Sequence, residues 1–340
     1  MRVLIAIAGL ACCGAAPATG ALHENPGLQE RLRAHVGFLA DDLLRGRQPG
    51  TEGYDIAARY VVSQFRQLGL EPAGADGGYL QPVPLRRAWQ EPDSARLSVR
   101  RGWGEHKLKF AEQFFMRPSR AHAESHLAAD MVFVGYGIDA PELEYNDYEH
   151  VDVEGKVAVF IGGQPHDFPS EEGAHFASGR EKLNAALRHG AIGIVSIYTP
   201  RNEKRYQWDR VHSLVGQPSM GWLTVEGEVF AAPPRILGEA TVHFSAAEVF
   251  FEGAGHSLAD ILAMDEQAEP VPAFELTGQV NMAQRSRHEA ISSPNVAAFL
   301  PGADPLLSDE FVVYTAHLDH IGELHGEGHQ DAINNGALDN

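Results

Sequence analysis

The sequence has almost no cysteine. Cys12 and Cys13 are the only two among 340 residues, and both lie within the first 20. If this segment is removed on export, the rest of the chain carries no thiol. Disulfide bonds, thiol catalysis and cysteine-ligated metal sites are then excluded together.

Positive charge is also scarce. The chain has 27 Lys and Arg residues against 46 Asp and Glu residues, which gives a formal net charge of −19. This balance disfavours nonspecific binding to nucleic acid and to anionic membranes. No basic patch with interleaved aromatic residues is present, so we predict no nucleic-acid binding. The length permits a large core and two domains.

The sequence contains no apolar run long enough to indicate a transmembrane segment. The N-terminal apolar run, residues 3–11, is too short to span a bilayer. Arg2 precedes it and small residues follow it near Ala18, which together predict a signal peptide over residues 1–20. We therefore expect an exported protein, periplasmic or secreted. The stretch LACC at residues 10–13 imperfectly resembles a lipoprotein signal, so a lipid anchor is the second interpretation.

Capping residues predict two helices near the N-terminus. Asn25 and Pro26 fit an N-cap followed by proline at the first helical position. Thr51 fits the N-cap of a second helix, which ends at Gly69. Between them lies a loop rich in Gly and Pro, residues 44–51. Its two arginines fit either a solvated loop or a positioned loop on the substrate side of a site.

Apolar periodicity predicts a strand–helix–strand unit in the middle of the chain. Residues 156–161 and 192–197 read as buried strands, and residues 180–189 read as a helix between them. Further along, Ser257 with Asp260 three residues later has the form of a capping box at the start of another helix.

The last part of the chain concentrates metal-ligand residue types. Residues 295–300 and 311–316 are predicted strands, able to pair antiparallel through the loop 301–310. His317 then ends a strand and shares a face with Asp319, because residues two apart on a strand point the same way. Asp339 could return to this place as a carboxylate ligand. By pattern alone, these residues also fit a surface loop with solvated charges.

Several motifs, in one order along the chain, resemble the M28 family of zinc aminopeptidases with an inserted protease-associated (PA) domain. The motifs of the peptidase part are GRQPGTEG at 46–53, GLEP at 69–72, SPNVAAFLPG at 293–302, AHLDHIG at 316–322 and NGALDN at 335–340. Those that resemble the PA domain are VFVGYGI at 132–138, DY at 147–148 and VEGKV at 153–157.

The resemblance implies an α/β fold and a division of the chain. The fold would be a zinc-exopeptidase-like mixed sheet flanked by helices, incomplete in this chain, with an inserted PA-like α/β domain. After the signal peptide, residues 21–94 would form the N-terminal part of the peptidase domain. Residues 95–284 would form the PA-like domain with flanking strands, and residues 285–340 would begin the metal-binding core.

The resemblance also implies a site and a reaction. His317 would bind one zinc ion, Asp339 would bridge two zinc ions, and Asp319 would be the catalytic-site carboxylate that partners His317. The expected reaction is hydrolysis of the N-terminal bond of a peptide substrate by a water that two metals activate. Histidine and carboxylate ligands are those of catalytic zinc.

The chain departs from the family in one respect. Members of the family use further ligands beyond this stretch: a Glu-Glu pair that includes the general base, then an Asp, then a late His. We therefore expect this chain to be an N-terminal portion that is inactive alone. Glu171 and Glu172 precede His317 and are interpreted as solvated, and a flexible loop is expected around three further histidines, namely His320, His325 and His329.

Two other functions fit the same fold. One is a non-catalytic receptor or binding module that uses the PA-like region for contacts. The other is a zinc-dependent glutaminyl cyclase. Retention of His317, Asp319 and Asp339 favours the enzyme over the binding module, and the PA-like segment makes the cyclase the weaker alternative.

Overall fold

The computed structural model describes residues 26–102, 104–209, 214–324 and 331–338. None of the helices in these ranges is both long and apolar enough to cross a membrane. The α-helices are α1 (Pro26–Leu39), α2 (Glu52–Gln67), α3 (Ser170–Phe176), α4 (Gly179–Arg188), α5 (Pro200–Arg205), α6 (Glu248–Phe251) and α7 (Leu258–Glu266). Short 3-10 helices cover Asp42–Arg47, Ala75–Gly77, Pro141–Leu143 and Phe244–Ala246.

The strands belong to one large sheet and several short pairs. They are β1 (Glu71–Pro72), β2 (Leu80–Gln90), β3 (Arg96–Arg101), β4 (Gly104–Lys107), β5 (Phe114–Phe115), β6 (Glu124–Val134), β7 (Asp139–Ala140), β8 (Tyr145–Asn146), β9 (Val157–Ile161), β10 (Gly193–Tyr198), β11 (Ser219–Trp222), β12 (Gly238–His243), β13 (Ala273–Val296), β14 (Ala298–Phe299), β15 (Gly322–Glu323) and β16 (Ile333–Asn334).

Ten of the described strands form one mixed sheet in the order β11-β2-β13-β6-β9-β10-β12-β5, with β3 paired to β13 and β4 paired to β3. The pairs among β6, β9, β10 and β12 are parallel, and the other pairs are antiparallel. Helices flank the sheet, so the predicted mixed α/β fold is confirmed at this level.

The predicted strand–helix–strand unit is present as β9, α4 and β10, with β9 and β10 parallel. Side chains alternate across β9: Val157, Val159 and Ile161 join one hydrophobic cluster, while Ala158 and Phe160 join a second cluster on the opposite face. Helix α4 covers the second face and α7 the first. Because β9 is buried on both faces, its sequence is a continuous apolar run, and this run predicted the strand.

The longest strand, β13, joins the two parts of the sheet. Its C-terminal half pairs with β2 from Ser286 to Val296, and its N-terminal half lies between β6 and β3. Apart from its last two residues, this strand was missed by the sequence prediction, because it carries many polar residues. The domain boundary predicted at residue 284 falls inside β13, and the division into domains stays a prediction.

A buried polar cluster supports the turn after β6. The Asp147 carboxylate accepts hydrogen bonds from the backbone N–H groups of Tyr136 (3.1 Å) and Ile138 (2.9 Å). Lys182, on α4, is 2% exposed and donates to the backbone oxygens of Tyr136 and of Gly163 (2.7 Å for the latter). Burial lowers the pKa of Lys182 to about 7, although nearby Asp147 acts in the opposite direction. The GYG motif at 135–137 is thus held by two buried ionisable residues.

The two N-terminal helices form as predicted, and the Thr51 side chain caps α2 by accepting from the Tyr54 N–H. Phe38 of α1 stacks on Tyr60 of α2, with ring centroids 4.1 Å apart. Apolar residues of α1 are nevertheless about half exposed, at 47% for Leu28 and 55% for Leu32. The helix forms, while its apolar face stays largely exposed to solvent.

The predicted strand at residues 311–316 is wrong, because this segment has no regular structure. Phe311 and Tyr314 are 76% and 92% exposed, and the segment does not pair with residues 295–300. Residues 295–300 pair instead with N-terminal strands: Asn295 and Val296 pair with β2, and Phe299 in β14 pairs with Glu71 in β1. The capping box of Ser257 and Asp260 is confirmed at the start of α7.

Candidate functional site

His317 and Asp319 lie together in the structure. The His317 Nδ1 atom is 2.8 Å from the backbone oxygen of Asp319 and 3.8 Å from its carboxylate oxygen Oδ1. Both side chains are about half exposed. The contact lies in a segment without regular structure and not at the end of a strand. The two residues are therefore neighbours as predicted, but not on a strand. The third predicted residue, Asp339, lies outside the described residues, as do the predicted signal peptide, His325 and His329.

The contact selects one tautomer of the imidazole. A backbone oxygen can only accept a hydrogen bond, so Nδ1 of His317 must carry the proton in this arrangement. In the neutral ring Nε2 then holds the lone pair that a metal ion needs. Metal-binding histidines are commonly oriented in this way, by a carbonyl or carboxylate on their other nitrogen.

Arg47 fixes the segment that carries His317. Its side chain is 7% exposed, and its Nε donates to the backbone oxygen of Leu318 at 3.0 Å. Its Nη1 donates to the backbone oxygens of Asn335 (2.9 Å) and of Leu39. The Arg47 backbone oxygen accepts from the N–H of His320 at 3.2 Å. One buried guanidinium therefore connects α1, the turn at 317–320 and the segment at 333–336.

Asp319 acts electrostatically on two buried neighbours. Burial lowers the pKa of the Arg47 guanidinium, and the Asp319 carboxylate partly offsets this effect. Burial also raises the pKa of the Tyr54 hydroxyl, and Asp319 raises it further. At neutral pH the carboxylate therefore lies near one cation and one neutral phenol. The Asp319 carboxylate thus lies beside the positive charge of Arg47.

Gly46 allows the loop before α2 to approach the last described segments closely. Its φ is +68°, and a Cβ at this position would lie 2.6 Å from the backbone oxygen of Asn334 and 2.7 Å from that of Gly322. Gly322 and Asn334 are paired residues of β15 and β16. Beside this contact, Arg45 makes a two-pronged ion pair with Glu323, at 2.7 and 2.8 Å. The backbone of this loop thus packs directly against the backbone of β15 and β16.

Sequence reasoning did not identify Arg47 as part of the site. The Gly46-Arg47 pair lay in the family-like motif, and a positioned loop was one of two interpretations of its arginines. The structure supports that interpretation for Arg47, which is buried, and supports the solvated one for Arg45, whose side chain is 71% exposed. A non-glycine φ of +48° at Arg47 marks a constrained position, but a sequence does not display it.

Two cavities meet at Asp319. One, of about 190 Å³, is lined by Val36, Arg47, His317 and His320 among others. The other, of about 590 Å³, extends from Asp319 past Tyr54 to Trp222. His317 is therefore accessible from one side, and Asp319 from both.

The described residues do not form a metal site by themselves. Among them no group of three His, Cys, Asp or Glu side chains is close enough to hold a metal ion. Catalytic zinc in proteins usually has three protein ligands. His317 has the residue type, the exposure and the oriented ring that such a ligand requires, so it fits a metal as one member of a larger set.

The other acidic and histidine residues considered from the sequence lie elsewhere. Glu171 and Glu172 are exposed in the first turn of α3. His166 is bonded to Arg201, with 2.7 Å between Nε2 and Nη1, and His175 lies 3.9 Å from Glu181. The exposure of Glu171 and Glu172 agrees with their interpretation as solvated, and the two histidines lie beside charged side chains.

Neither a protein-family model nor a curated protein sequence matches the chain. Among solved structures, the chain is similar to the aminopeptidase from Aneurinibacillus sp. strain AM-1, with 18% identity and a TM-score of 0.39 over 81% of this chain and 49% of that one. It is also similar to BSAP, a zinc aminopeptidase from Bacillus subtilis, with 13% identity and a TM-score of 0.31 over 79% of this chain and 46% of that one. The chain spans about half the length of these solved structures.

Proposed function

We propose that this chain is part of an exported zinc-dependent aminopeptidase that hydrolyses the N-terminal bond of peptides. His317 and Asp339 would be ligands of a two-zinc site, and Asp319 would orient His317. The observation that supports this proposal best is the contact of 2.8 Å between His317 Nδ1 and the Asp319 backbone oxygen. It gives the imidazole the tautomer and orientation of a metal ligand.

Each described residue has a defined part in this proposal. Asp319 keeps the proton of His317 on Nδ1, and Arg47 holds the turn between them by its bond to Leu318. Zinc, when bound, would supply the Lewis acid that polarises a carbonyl and lowers the pKa of a water. The protein's contribution at this corner is therefore to orient one ligand and to keep negative charge near it.

The catalytic set is incomplete in this chain under the same proposal. The described residues contain no three-ligand group, and the family that the sequence resembles uses a Glu-Glu pair, an Asp and a His beyond the positions found here. The chain alone would therefore bind zinc weakly and lack the general base. We propose that it is inactive by itself and that additional ligands complete the site.

Zinc titration calorimetry on the chain tests the site. We expect binding that His317→Ala weakens at least about tenfold, while His106→Ala, which removes an exposed histidine on β4, leaves affinity unchanged. Equal affinities of the two variants would contradict the proposed ligand. Hydrolysis of leucine p-nitroanilide by the chain should match the buffer blank, and robust turnover would contradict its inactivity.

Export is proposed from the sequence of residues 1–20. Expression of the chain in a bacterium, followed by mass spectrometry of the product, tests it. A soluble product that begins near residue 21 supports secretion or periplasmic export. A lipid-modified Cys12 or Cys13 would replace soluble export with a membrane anchor, and an uncleaved cytoplasmic product would contradict both.

A further inference from the structure

Another cavity lies apart from the candidate metal site. Its volume is about 400 Å³, within the range of about 300–1,000 Å³ that ligand pockets in proteins occupy. Its walls come from three segments: residues 90–96 between β2 and β3, residues 110–118 around β5, and residues 214–217 before β11. Among the described residues, none that lines this cavity also lines either cavity beside Asp319. A ligand bound here therefore occupies a site of its own.

One side of this cavity is apolar and already packed. Met116 is 1% exposed and belongs to the main hydrophobic cluster, and Phe115 is 6% exposed. The Phe115 ring stacks on that of Phe110, with centroids 6.1 Å apart and an angle of 22° between the ring planes. Leu214 and Val215 add aliphatic side chains on another wall. A flat apolar ligand therefore meets aromatic and aliphatic surface that is already held in place.

The wall formed by residues 214–217 is fixed by two hydrogen bonds. The Gln217 N–H donates to the Leu214 backbone oxygen at 3.1 Å and closes a turn, in which Gly216 has a φ of +83°. The Gln217 side chain donates through Nε2 to the backbone oxygen of Glu323 at 2.6 Å. Because this wall is held without a ligand, binding does not have to bear the entropy cost of ordering the loop.

Gln90 gives the cavity an unused hydrogen-bond acceptor. Its Oε1 atom is buried and has no partner among the described residues, whereas its Nε2 donates to the Ser94 hydroxyl at 3.4 Å. The one proton of that hydroxyl goes to a backbone oxygen, that of Glu91 at 2.7 Å, so Ser94 must accept from Gln90. This fixes Oε1 as the unpaired end of the amide. A buried acceptor without a partner is costly, and a ligand with an N–H or O–H group would satisfy it.

The charges around the cavity are balanced. The charged residues among the described ones that line it are Glu91, Asp93 and Arg96. Asp93 and Arg96 are exposed, and Glu91 is paired with Arg285 at 2.8 Å. An acidic ligand would bring a carboxylate without a matching cation, and burying an unpaired charge is costly. A neutral ligand avoids this cost.

We propose that this cavity binds a neutral aromatic molecule that carries one N–H or O–H donor. Its ring would lie against Phe115 and Met116, and its donor would bond to Gln90 Oε1. The proposal does not rest on the aminopeptidase function, because the cavity shares no lining residue with the candidate metal site. It gives the chain a second binding site, for a small organic molecule.

Titration calorimetry with indole and benzofuran tests this site. The two molecules have the same bicyclic shape, and benzofuran has an ether oxygen in place of the indole N–H. We expect the chain to bind indole with a dissociation constant of about 1 mM or lower. Indole-3-carboxylate keeps the N–H but adds a negative charge, and we expect it to bind at least about tenfold more weakly than indole.

Gln90→Met tests the acceptor. Methionine has a similar length, and the oxygen that it removes has no partner, so the fold should be retained. The ratio of indole affinity to benzofuran affinity should fall about tenfold in this variant, because only indole uses the acceptor. Gln67→Met is the matched control, since Gln67 is exposed at the end of α2 and does not line the cavity. It should leave the ratio unchanged.

Leu214→Trp tests the location of the ligand. The larger side chain would fill part of the cavity, so the affinity for indole should fall at least about tenfold. Leu68→Trp is its control, because Leu68 is 70% exposed at the end of α2 and does not line the cavity. The affinity for indole should not change in this control.

Three results would overturn the proposal. They are the absence of indole binding at about 1 mM, an affinity ratio that Gln90→Met leaves unchanged, and an affinity for indole that Leu214→Trp leaves unchanged. His317→Ala, which should weaken zinc binding, should retain the affinity for indole, and a loss of it would place the ligand elsewhere. Indole binding by a chain that binds no zinc would keep this site and contradict the proposed metal site.

Discussion

Arg47 donates from Nε to the backbone oxygen of Leu318 at 3.0 Å, although 271 positions separate the two residues in the chain. Leu318 lies between His317 and Asp319, so this bond holds the candidate site from the side of the N-terminal loop. The guanidinium is buried and serves three carbonyl groups. The position of the site therefore depends on a loop at the other end of the sequence.

Replacing Arg47 with methionine should destabilise this corner. Three carbonyl groups would lose a buried donor, for which we expect the free energy of unfolding to fall by about 3 kcal/mol. Arg45→Met is the matched control, because both residues have a φ of +48° but Arg45 is exposed. Urea unfolding measures both variants. Equal stability of the two would contradict the role of Arg47.

Gly46→Ala should loosen the contact between the loop and β15–β16. The new Cβ would lie 2.6 Å from the Asn334 backbone oxygen, so the backbone must move. Gly69→Ala is the control, since Gly69 has a similar φ of +72° and nothing within 4 Å of the built Cβ. Gly69→Ala should cost about 1 kcal/mol from its φ alone, and Gly46→Ala should cost more. Thermal unfolding that ranks them in the opposite order would refute the contact.

Asp319→Asn should weaken zinc binding while keeping the fold. The backbone oxygen that contacts His317 is unchanged, so the tautomer persists, but the negative charge is lost. We expect about a 10- to 100-fold loss of zinc affinity. Asp309→Asn removes an exposed carboxylate at a distance from the site and should have no effect. Affinity that is insensitive to Asp319→Asn would mean that the carboxylate has no influence on the metal.

The buried Lys182 should make stability depend on pH. Its pKa is about 7 in the folded chain against 10.5 for the free side chain, because burial disfavours the charge. Between these values the unfolded chain binds a proton that the folded chain does not, so the free energy of unfolding rises with pH. This gain in the free energy of unfolding is lost as pH falls towards 7. The slope of the free energy of unfolding against pH approaches about 1.4 kcal/mol per pH unit.

Urea unfolding between pH 7.5 and 9.5 measures this dependence, because both limits lie between the pKa of Lys182 in the folded chain and that of the free side chain. In Lys182→Met the rise should be absent, while Lys107→Met, which removes an exposed lysine, should retain it. The window ends below the ordinary tyrosine pKa of 10.0, above which the unfolded chain would lose protons that the buried Tyr136 and Tyr145 keep, and the free energy of unfolding would fall. Parallel stability curves for Lys182→Met and the unchanged chain would contradict the assignment.

Elements whose stability comes from nearby residues were predicted well. Local sequence patterns predicted β9 and the helix α4 that follows it. Thr51 and Ser257 form the expected caps. Such signals are local, because a cap or an apolar face needs residues only a few positions away.

Features that depend on distant pairing were not predictable in this way. The segment 311–316 has the composition of a strand, yet it has no regular structure, and residues 295–300, its expected partner, pair with β2 and β1. Arg47 binds carbonyl groups that no residue pattern marks. His317 and Asp319 lie close together because they are two residues apart, although the strand end on which this was predicted is absent, and their roles at a metal stay a prediction. The larger cavity, in contrast, joins Tyr54, Trp222 and Asp319 from separate regions.

The pairing of β13 with β2 has a consequence for folding during synthesis. Leu80 pairs with Val296, so β2 leaves the ribosome about 200 residues before its partner. At typical rates of synthesis, β2 would wait roughly 10 to 40 s with that edge unpaired. Contacts of such long sequence separation also slow folding in general. The nascent chain is therefore exposed to aggregation through β2 for that interval, and a chaperone that binds extended segments would act there.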